Sequence, residues 1–169
     1  MAEAIASKTT QYLSFVLQDE VFAIDIGKIR EVLEFTSVTK VPQMPPFMRG
    51  VINLRGGVVP VVDMKLKFGM GSTEKTINTC VIITEVVTDD GEKTVLGALA
   101  DSVKEVFDLH NEDIEPAPKI GTQLKTEFLK GMGRKGEEFM LLLDVDSVFS
   151  LADIEAVSGA NEYSLQTGQ

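Results

Sequence analysis

The chain contains 169 residues with a formal net charge of −10, and 44% of its residues are apolar, which suits one globular domain or two small halves sharing a core. The negative charge argues against nucleic acid or an anionic membrane surface as a partner, because binding phosphate requires a basic face. No apolar run approaches the roughly 20 residues of a membrane span, and residues 1–10 lack the apolar region of a signal peptide, so we expect a soluble cytoplasmic protein.

The N-terminal segment is predicted to contain three strands after a flexible polar tail at residues 1–10. Two of these strands flank a turn at residues 18–20, since apolar side chains alternate at Phe22, Ile24 and Ile26. The next segment, IGKIREVLEF at residues 26–35, favours one helical turn followed by a strand.

Residues 38–50 contain three prolines and are predicted to form a loop. Residues 51–62 predict a hairpin that turns at Arg55 and the two glycines after it, and Pro60 places its strand at an edge or a bulge because proline has no N–H donor. Asp63 is predicted to cap the N-terminus of a short helix.

The second half of the chain predicts a hairpin around Asp89, Asp90 and Gly91, since Asp-Gly provides the positive φ of a tight turn. Cys80 lies in the first of these strands, and we interpret this single cysteine as a small buried apolar residue in a reducing compartment. Further short strands follow, and residues 151–169 favour a short helix and a polar tail.

The two halves of the sequence resemble each other. Residues 22–35 align with 96–109, and residues 47–68 align with 128–149 at an offset that is seven residues larger, which places a longer loop at residues 111–127. Four identical pairs carry the second alignment: Phe47 with Phe128, Gly50 with Gly131, Asp63 with Asp144, and Phe68 with Phe149. Many short strands separated by Gly and Pro turns in two copies predict two small β-barrels of about five strands each.

The sequence does not indicate an enzyme or a metal site. His110 is the only histidine, and no G-x-S-x-G elbow supplies a nucleophile for it to activate. A metal site requires several His or Cys ligands at set spacings, and the paired acids at 89–90, 112–113 and 137–138 lie in predicted turns, where they are typically solvated. The glycines after Arg55 lack the Lys-Ser/Thr of a phosphate-binding loop.

Arg55 has two interpretations. An arginine at a hairpin tip can simply keep the tip soluble, or it can contact a partner at the rim of an apolar patch, where arginine is common at interfaces. The flanking strands are almost wholly apolar, which is typical of strands covered on both faces. One face covers its own barrel, so the other must meet the second half of the chain or a partner.

The segment RGVINLRGGVVPVVDMKLKFG at residues 49–69 resembles the signature of the CheW family of bacterial chemotaxis coupling proteins. FAIDIGKIREVLEF and VPQMPPFMRG resemble the preceding part of that pattern, and VLGALADSVKEVFDL with IEPAP resembles its second half. The resemblance covers about Gln11 to Phe149, and Ala100 departs mildly from it, because the family commonly has valine there.

This resemblance implies an all-β fold with minor helix: two packed five-stranded Src-homology-3-like β-barrels and a short C-terminal helix. It implies a single CheW-like domain over residues 11–152, with approximately 11–75 in the first barrel and 76–150 in the second, and it is compatible with a strand exchange near the N-terminus. Residues 1–10 and 153–169 would be flexible or short helical tails.

The resemblance further implies a non-enzymatic adaptor, without cofactor or metal, that couples the cytoplasmic tips of methyl-accepting chemoreceptors to the regulatory domain of the histidine kinase CheA. Such a protein is a monomer in isolation and is recruited to receptor arrays at the inner face of the membrane. By motif position, receptor contact would involve Ile29, Glu31, Gly50 and Arg55, whereas the kinase-contact residues are not assigned.

Alternatives remain open for these residues and for the function. Ile29 could belong to the core, Glu31 could be a solvated charge, and Gly50 could meet a backbone requirement, since Gly131 repeats it. Arg55 has no arginine counterpart, because Gly136 lies opposite it, which favours a function specific to one half. The alternative function is a detached CheW-like regulatory domain of a kinase or a CheW–receiver fusion, although no ATP-binding motif is present.

Overall fold

A computed structural model describes residues 8–88, 90–116, 126–149 and 153. Ten strands are present in this part of the chain: β1 Thr9–Leu17, β2 Glu20–Asp25, β3 Ile29–Glu34, β4 Met48–Leu54, β5 Gly57–Val62, β6 Cys80–Val87, β7 Lys93–Ala100, β8 Ser102–His110, β9 Leu129–Lys135 and β10 Glu138–Leu143. Two single-turn helices, α1 Met64–Lys67 and α2 Val145–Val148, and three 3-10 turns, Ile26–Lys28, Asn111–Asp113 and Thr126–Phe128, complete it.

The strands form two five-stranded sheets of equivalent topology. One has the order β3-β6-β7-β5-β4, here called barrel 1, and the other has the order β8-β1-β2-β10-β9, here called barrel 2. In each sheet one pair is parallel, β5 with β7 and β2 with β10, and the remaining pairs are antiparallel. The mostly-β fold of two five-stranded units with little helix is therefore confirmed.

Each sheet closes on itself through the chain that follows its first strand. Thr39, beyond β3, exchanges two backbone hydrogen bonds of 2.8 Å with Val51 of β4. Glu115, beyond β8, exchanges bonds of 2.9 and 2.7 Å with Met132 of β9. These bridges join the two edges of each sheet, so the barrel description fits both units.

The sheets do not divide near residue 75 as expected. The β1–β2 hairpin lies in barrel 2, where β1 pairs with β8 from Thr9 opposite His110 to Val16 opposite Ser102. The β6–β7 hairpin lies in barrel 1 between β3 and β5. Each half of the chain completes its sheet with the hairpin of the other half, so the exchange of the N-terminal hairpin β1–β2 is matched by an exchange of β6–β7.

The sequence repeat corresponds to a structural repeat in which β1–β5 are equivalent to β6–β10. Gly50 and Gly131 adopt φ angles of +148° and +156°, values that L side chains rarely adopt. The N–H of Asp63 donates to the Phe47 carbonyl at 2.6 Å, and the N–H of Asp144 donates to the Phe128 carbonyl at 2.8 Å. The same backbone pattern therefore precedes α1 and α2.

Apolar side chains form three clusters. A small core lies inside each barrel, and a larger shared core between the barrels takes buried residues from β1, β2, β4–β7, β10 and both helices. Along the hairpin that carries Arg55, Val51 and Val62 enter the shared core, while Val59 and Val61 enter the core of barrel 1. Both faces of this hairpin are thus covered within the chain, so its apolar flanks do not by themselves require a partner.

The predicted helix cap at Asp63 is confirmed. Its carboxylate accepts a hydrogen bond from the Lys65 N–H at 3.1 Å, at the start of α1. Pro60 lies in β5 between β4 and β7, so the predicted edge strand is wrong; the alternative, a bulge, agrees with a register shift in the β4–β5 ladder opposite Val61 and Val62. Val51 directs its N–H and C=O toward Thr39, so it forms no backbone hydrogen bond with Pro60, which lies opposite it in β5. The nitrogen of Pro60, which carries no hydrogen, therefore faces β7, where strand pairing begins only at the next residue, Val61.

Cys80 is half-buried rather than buried, and its thiol donates to the Asn78 carbonyl at 3.2 Å. Burial raises the pKa of this thiol. His110 is exposed at the end of β8. The predicted tails at residues 1–7 and 154–169, and most of the longer loop at 117–125, lie outside the described residues.

Candidate functional site

Arg55 lies in a strained two-residue turn at an exposed hairpin tip. Leu54 pairs with Gly57, and the two residues between them, Arg55 and Gly56, adopt φ angles of +51° and +85°. Positive φ at both central positions is the geometry of a type I′ hairpin turn, which disfavours a residue with a Cβ at the first position. The equivalent turn of barrel 2 has Gly136 there, at φ +63°. Arginine is thus held at a position where the repeat uses glycine, which motivates a functional hypothesis for it.

The guanidinium of Arg55 forms a two-point contact with the carboxylate of Glu31 on β3. Nη2 donates to Oε1 at 3.0 Å, and Nη1 donates to Oε2. The Arg55 side chain remains 72% exposed, whereas Glu31 is 24% exposed. The pair therefore connects β3 to the β4–β5 hairpin while leaving the guanidinium accessible to a partner.

The contact favours the charged form of both side chains. The hydrogen bond from Arg55, reinforced by its charge, lowers the pKa of Glu31 in spite of some desolvation. The same hydrogen bond and charge raise the pKa of Arg55. An oriented guanidinium with donors still facing solvent suits recognition of a carboxylate or a carbonyl group on a protein partner.

Ile29 and Gly50 occupy different environments from this pair. Ile29 begins β3 and is half-buried against the shared core. Gly50 is buried in β4, where a Cβ would stand 2.4 Å from the Thr39 carbonyl oxygen. The structure thus brings Glu31 and Arg55 into contact, places Ile29 partly in the core, and gives Gly50 a close backbone approach.

Two open clefts flank the bridge between Thr39 and Val51. One, of about 280 Å³, lies between β4 and the chain after β3, and both apolar and polar residues line it, among them Phe35, Ile52 and Asn53. The other, of about 420 Å³, is formed by residues 40–50 and includes Gly50 and Arg49 on its wall. Gly50 therefore shapes the backbone beside a concave surface without exposing a side chain of its own.

Barrel 2 contains an ion pair equivalent to Glu31–Arg55, which sequence reasoning missed. Glu105, which aligns with Glu31, accepts a hydrogen bond from Lys135 at 2.5 Å, and this bond lowers the pKa of Glu105. Lys135 immediately precedes Gly136, so an ungapped alignment hid its correspondence to Arg55. The asymmetry between the halves is therefore the arginine and its strained turn, and an acid–base pair is common to both.

A buried polar network around Asp63 was also missed. The fully buried carboxylate accepts hydrogen bonds from the Thr73 N–H at 2.8 Å, the Thr73 hydroxyl at 2.7 Å and Arg49 at 3.2 Å, in addition to the cap of α1. Arg49 also donates to the Thr73 carbonyl at 2.7 Å. This network fixes β4 to the loop after α1, and the sequence signal for it was the pairing of Arg49 with Asp63 inside one motif.

Across the described ranges, no group of three or more His, Cys, Asp or Glu side chains is arranged to hold a metal ion. No helix among these residues has the length and apolar character needed to cross a bilayer.

The fold and this surface define a class of two-barrel β proteins, here with an exposed arginine held by a glutamate at a hairpin tip. A family model described as the CheW-like domain matches residues 11–153. The chain belongs to the CheW family. It is 35% identical over 147 residues to the chemotaxis protein CheW of Klebsiella aerogenes, covering 87% of this chain and 86% of that protein.

Two further similarities span nearly complete relatives. The chemotaxis protein CheW of Rhizobium meliloti is 30% identical over 155 residues, covering 92% of this chain and 97% of that protein. The crystal structure of the scaffolding protein TtCheW from Thermoanaerobacter tengcongensis matches with a TM-score of 0.74 and 32% identity, covering 86% of this chain and 91% of that one.

Proposed function

We propose that this protein is a non-enzymatic chemotaxis adaptor that couples methyl-accepting chemoreceptors to the histidine kinase CheA. Family membership over residues 11–153 supports this role, and the relatives are named as chemotaxis and scaffolding proteins. Because the chain matches almost the whole length of these relatives, a detached kinase domain or a receiver fusion is not favoured.

The observation that carries the receptor proposal is the exposed, strained Arg55 held by Glu31. We assign these two residues to direct receptor contact, with the free donors of Arg55 facing the receptor tip. Ile29 contributes the apolar margin next to Glu31 on β3. Gly50 contributes indirectly, because its close approach to Thr39 sets the backbone beside the two clefts.

Coupling in this proposal requires binding alone. Receptor and kinase would occupy separate faces of one body, and the shared core would hold those faces in fixed geometry. The kinase contact itself is not assigned to residues. The protein would act as a monomeric unit in the cytoplasm and would be recruited to receptor arrays at the inner face of the membrane through the receptor tip.

The test is a binding measurement with purified receptor tip fragments and, separately, the regulatory domain of the kinase. Arg55→Ala is expected to weaken receptor binding by at least tenfold, roughly the loss of one charge-assisted contact, without changing kinase binding. Lys135→Ala, which removes the equivalent cation of barrel 2, is the matched control and should leave receptor binding unchanged.

Arg55→Gly separates binding from stability. It removes the same side chain and also relieves the backbone strain, because glycine adopts a positive φ readily. The melting temperature of Arg55→Gly should therefore exceed that of Arg55→Ala, while receptor binding by the two variants is equally weak. Normal receptor binding by both variants would refute the interface assignment, whatever their thermal stability.

A further inference from the structure

The chain crosses between the barrels at two equivalent points, and an ion pair lies at each. The 3-10 turn Ile26–Lys28 leads from β2 in barrel 2 to β3 in barrel 1, and Asp101 leads from β7 in barrel 1 to β8 in barrel 2. Lys28 contacts Asp146 of α2 at 2.6 Å, and Asp101 contacts Lys65 of α1 at 3.3 Å. Lys65 and Asp146 align with each other in the repeat.

The two pairs share one arrangement with the charges reversed. At the first crossover the helix supplies the acid, Asp146, and the crossover supplies the lysine. At the second crossover the helix supplies Lys65 and the crossover supplies the acid, Asp101. Lys28 aligns with Ser102, the residue after Asp101, so the two charges on the crossovers differ by one position.

In both cases the carboxylate also accepts a backbone N–H from the end of a hairpin strand. Asp146, on the helix that follows β10 of barrel 2, accepts from Val87 at the end of β6 in barrel 1, at 2.7 Å. Asp101 accepts from Gln18, just past the end of β1 in barrel 2, at 2.6 Å, while Lys65 approaches it from α1 of barrel 1. Each carboxylate therefore ties together groups from both barrels.

These bonds differ from the rest of the contact between the barrels, which is largely an apolar shared core. Apolar burial is non-directional, so it holds two bodies together without strongly specifying their angle. Lys65 is largely buried, with 11% of its side chain exposed, and an ion pair in such a setting contributes specificity more readily than stability. With one directional contact at each crossover, a relative rotation of the barrels would change the geometry of both pairs.

We infer that Lys65–Asp101 and Lys28–Asp146 are positioning pairs that fix the relative orientation of the two barrels. They select one orientation among those that the shared core would tolerate. The inference does not depend on receptor or kinase binding, because it concerns the geometry of the protein alone.

The experiment measures the distance between two spin labels on the full chain by pulsed electron–electron double resonance. Glu34→Cys on β3 and Asp108→Cys on β8 are exposed, equivalent sites in the two barrels, and Cys80→Ser removes the native thiol. The parent protein is expected to give one narrow distance distribution. Lys65→Met and Asp101→Asn should each broaden or shift this distribution. Asp101→Ala, which also removes the acceptor of the Gln18 N–H, should give roughly tenfold faster amide exchange at Gln18.

Charge reversal provides the decisive arm. Lys65→Asp combined with Asp101→Lys places the acid on the helix and the base on the crossover, as at the other crossover, and should restore the narrow distribution. Lys104→Met breaks an ion pair within barrel 2, Lys104–Glu138 at 3.0 Å, and should leave it unchanged.

An unaltered distribution in Lys65→Met and Asp101→Asn would overturn the inference even if both variants melted earlier. Failure of the reversed pair to narrow a broadened distribution would also overturn it. If the Lys65 variants do not fold, Lys28→Met and Asp146→Asn are measured with the same labels. A broadened or shifted distance distribution then supports the inference, and an unaltered one overturns it.

Discussion

The carbonyl oxygen of Thr39 occupies the space in which a side chain at Gly50 would begin. A Cβ on Gly50 would stand 2.4 Å from that oxygen, a separation that real Cβ atoms essentially never show. The same relationship recurs between Gly131 and the Glu115 carbonyl at 2.6 Å, beside the bridge that closes barrel 2. Barrel closure in both halves thus depends on a missing side chain.

Gly50→Ala is therefore expected to lower the free energy of unfolding by roughly 1–3 kcal/mol or more, since it adds both a clash and backbone strain at φ +148°. Urea denaturation measures this change. Gly57→Ala is the matched control, because its Cβ would lie 3.5 Å from the Leu54 carbonyl oxygen, an ordinary van der Waals distance. Equal stability of the two variants would contradict the assignment of Gly50 to barrel closure.

Protonation of Glu31 should weaken the contact with Arg55. The folded-state pKa of Glu31 is lowered, so its contribution to stability is fully present above the ordinary carboxyl pKa of about 4.5 and is lost as the pH falls through the lowered value. The stability difference between the parent protein and Glu31→Gln should be small and constant near neutral pH and should shrink in acid. Thermal unfolding of both proteins across this range measures it, and a difference that grows in acid would exclude the pair as its cause.

Asp63→Asn should be strongly destabilising, by about 2–4 kcal/mol, because it removes a buried charge partner of Arg49 and turns an amide N–H₂ toward backbone and hydroxyl donors. Chemical denaturation provides the measurement. Asp144→Asn is the control in the equivalent position, where the side chain is only half-buried and accepts from Ser147 at 2.9 Å. A comparable loss in both variants would show that the network of Arg49 and Thr73, which Asp144 lacks, does not explain the effect.

Phe68→Ala should cost about 3–5 kcal/mol, the range for truncating a fully buried phenylalanine. Phe68 is 2% exposed in the shared core, with its ring 6.1 Å from Phe22 and 5.8 Å from Phe128, centroid to centroid. Phe139→Ala, at a position 52% exposed, should change the unfolding midpoint little in the same denaturation series. A neutral Phe68→Ala would remove this residue from the core that joins the barrels.

The features that the sequence predicted well depend on local chemistry. The turn at Arg55, the cap at Asp63 and the equivalence of Gly50 with Gly131 follow from residue types whose backbone preferences act over a few positions. The family resemblance added the contact candidates, and the direct pairing of Glu31 with Arg55 became visible only once β3 and the hairpin were placed side by side.

The features that it predicted poorly depend on pairing over long separations. The alternation of apolar residues identifies β1 and β6 as strands. It does not say which sheet each joins, because the pattern reports which face of a strand is buried and not which strand lies beside it. For the same reason Pro60 suggested an edge, although β5 is flanked on both sides. The Glu105–Lys135 pair was hidden because a one-residue shift in the repeat moves the cation off the aligned position.

The reciprocal exchange of hairpins has a consequence for synthesis. Barrel 2 takes its first strands from residues 9–25 and its last from residues 138–143, so β1 and β2 leave the ribosome well before the strands that complete their sheet. Barrel 1 likewise lacks β6 and β7 until residue 100 has been made. Neither half forms a closed sheet from its own residues, and such distant pairings carry a high contact order that slows folding. The nascent chain therefore exposes unpaired apolar strands until their partners are made, and aggregation competes with folding during that interval.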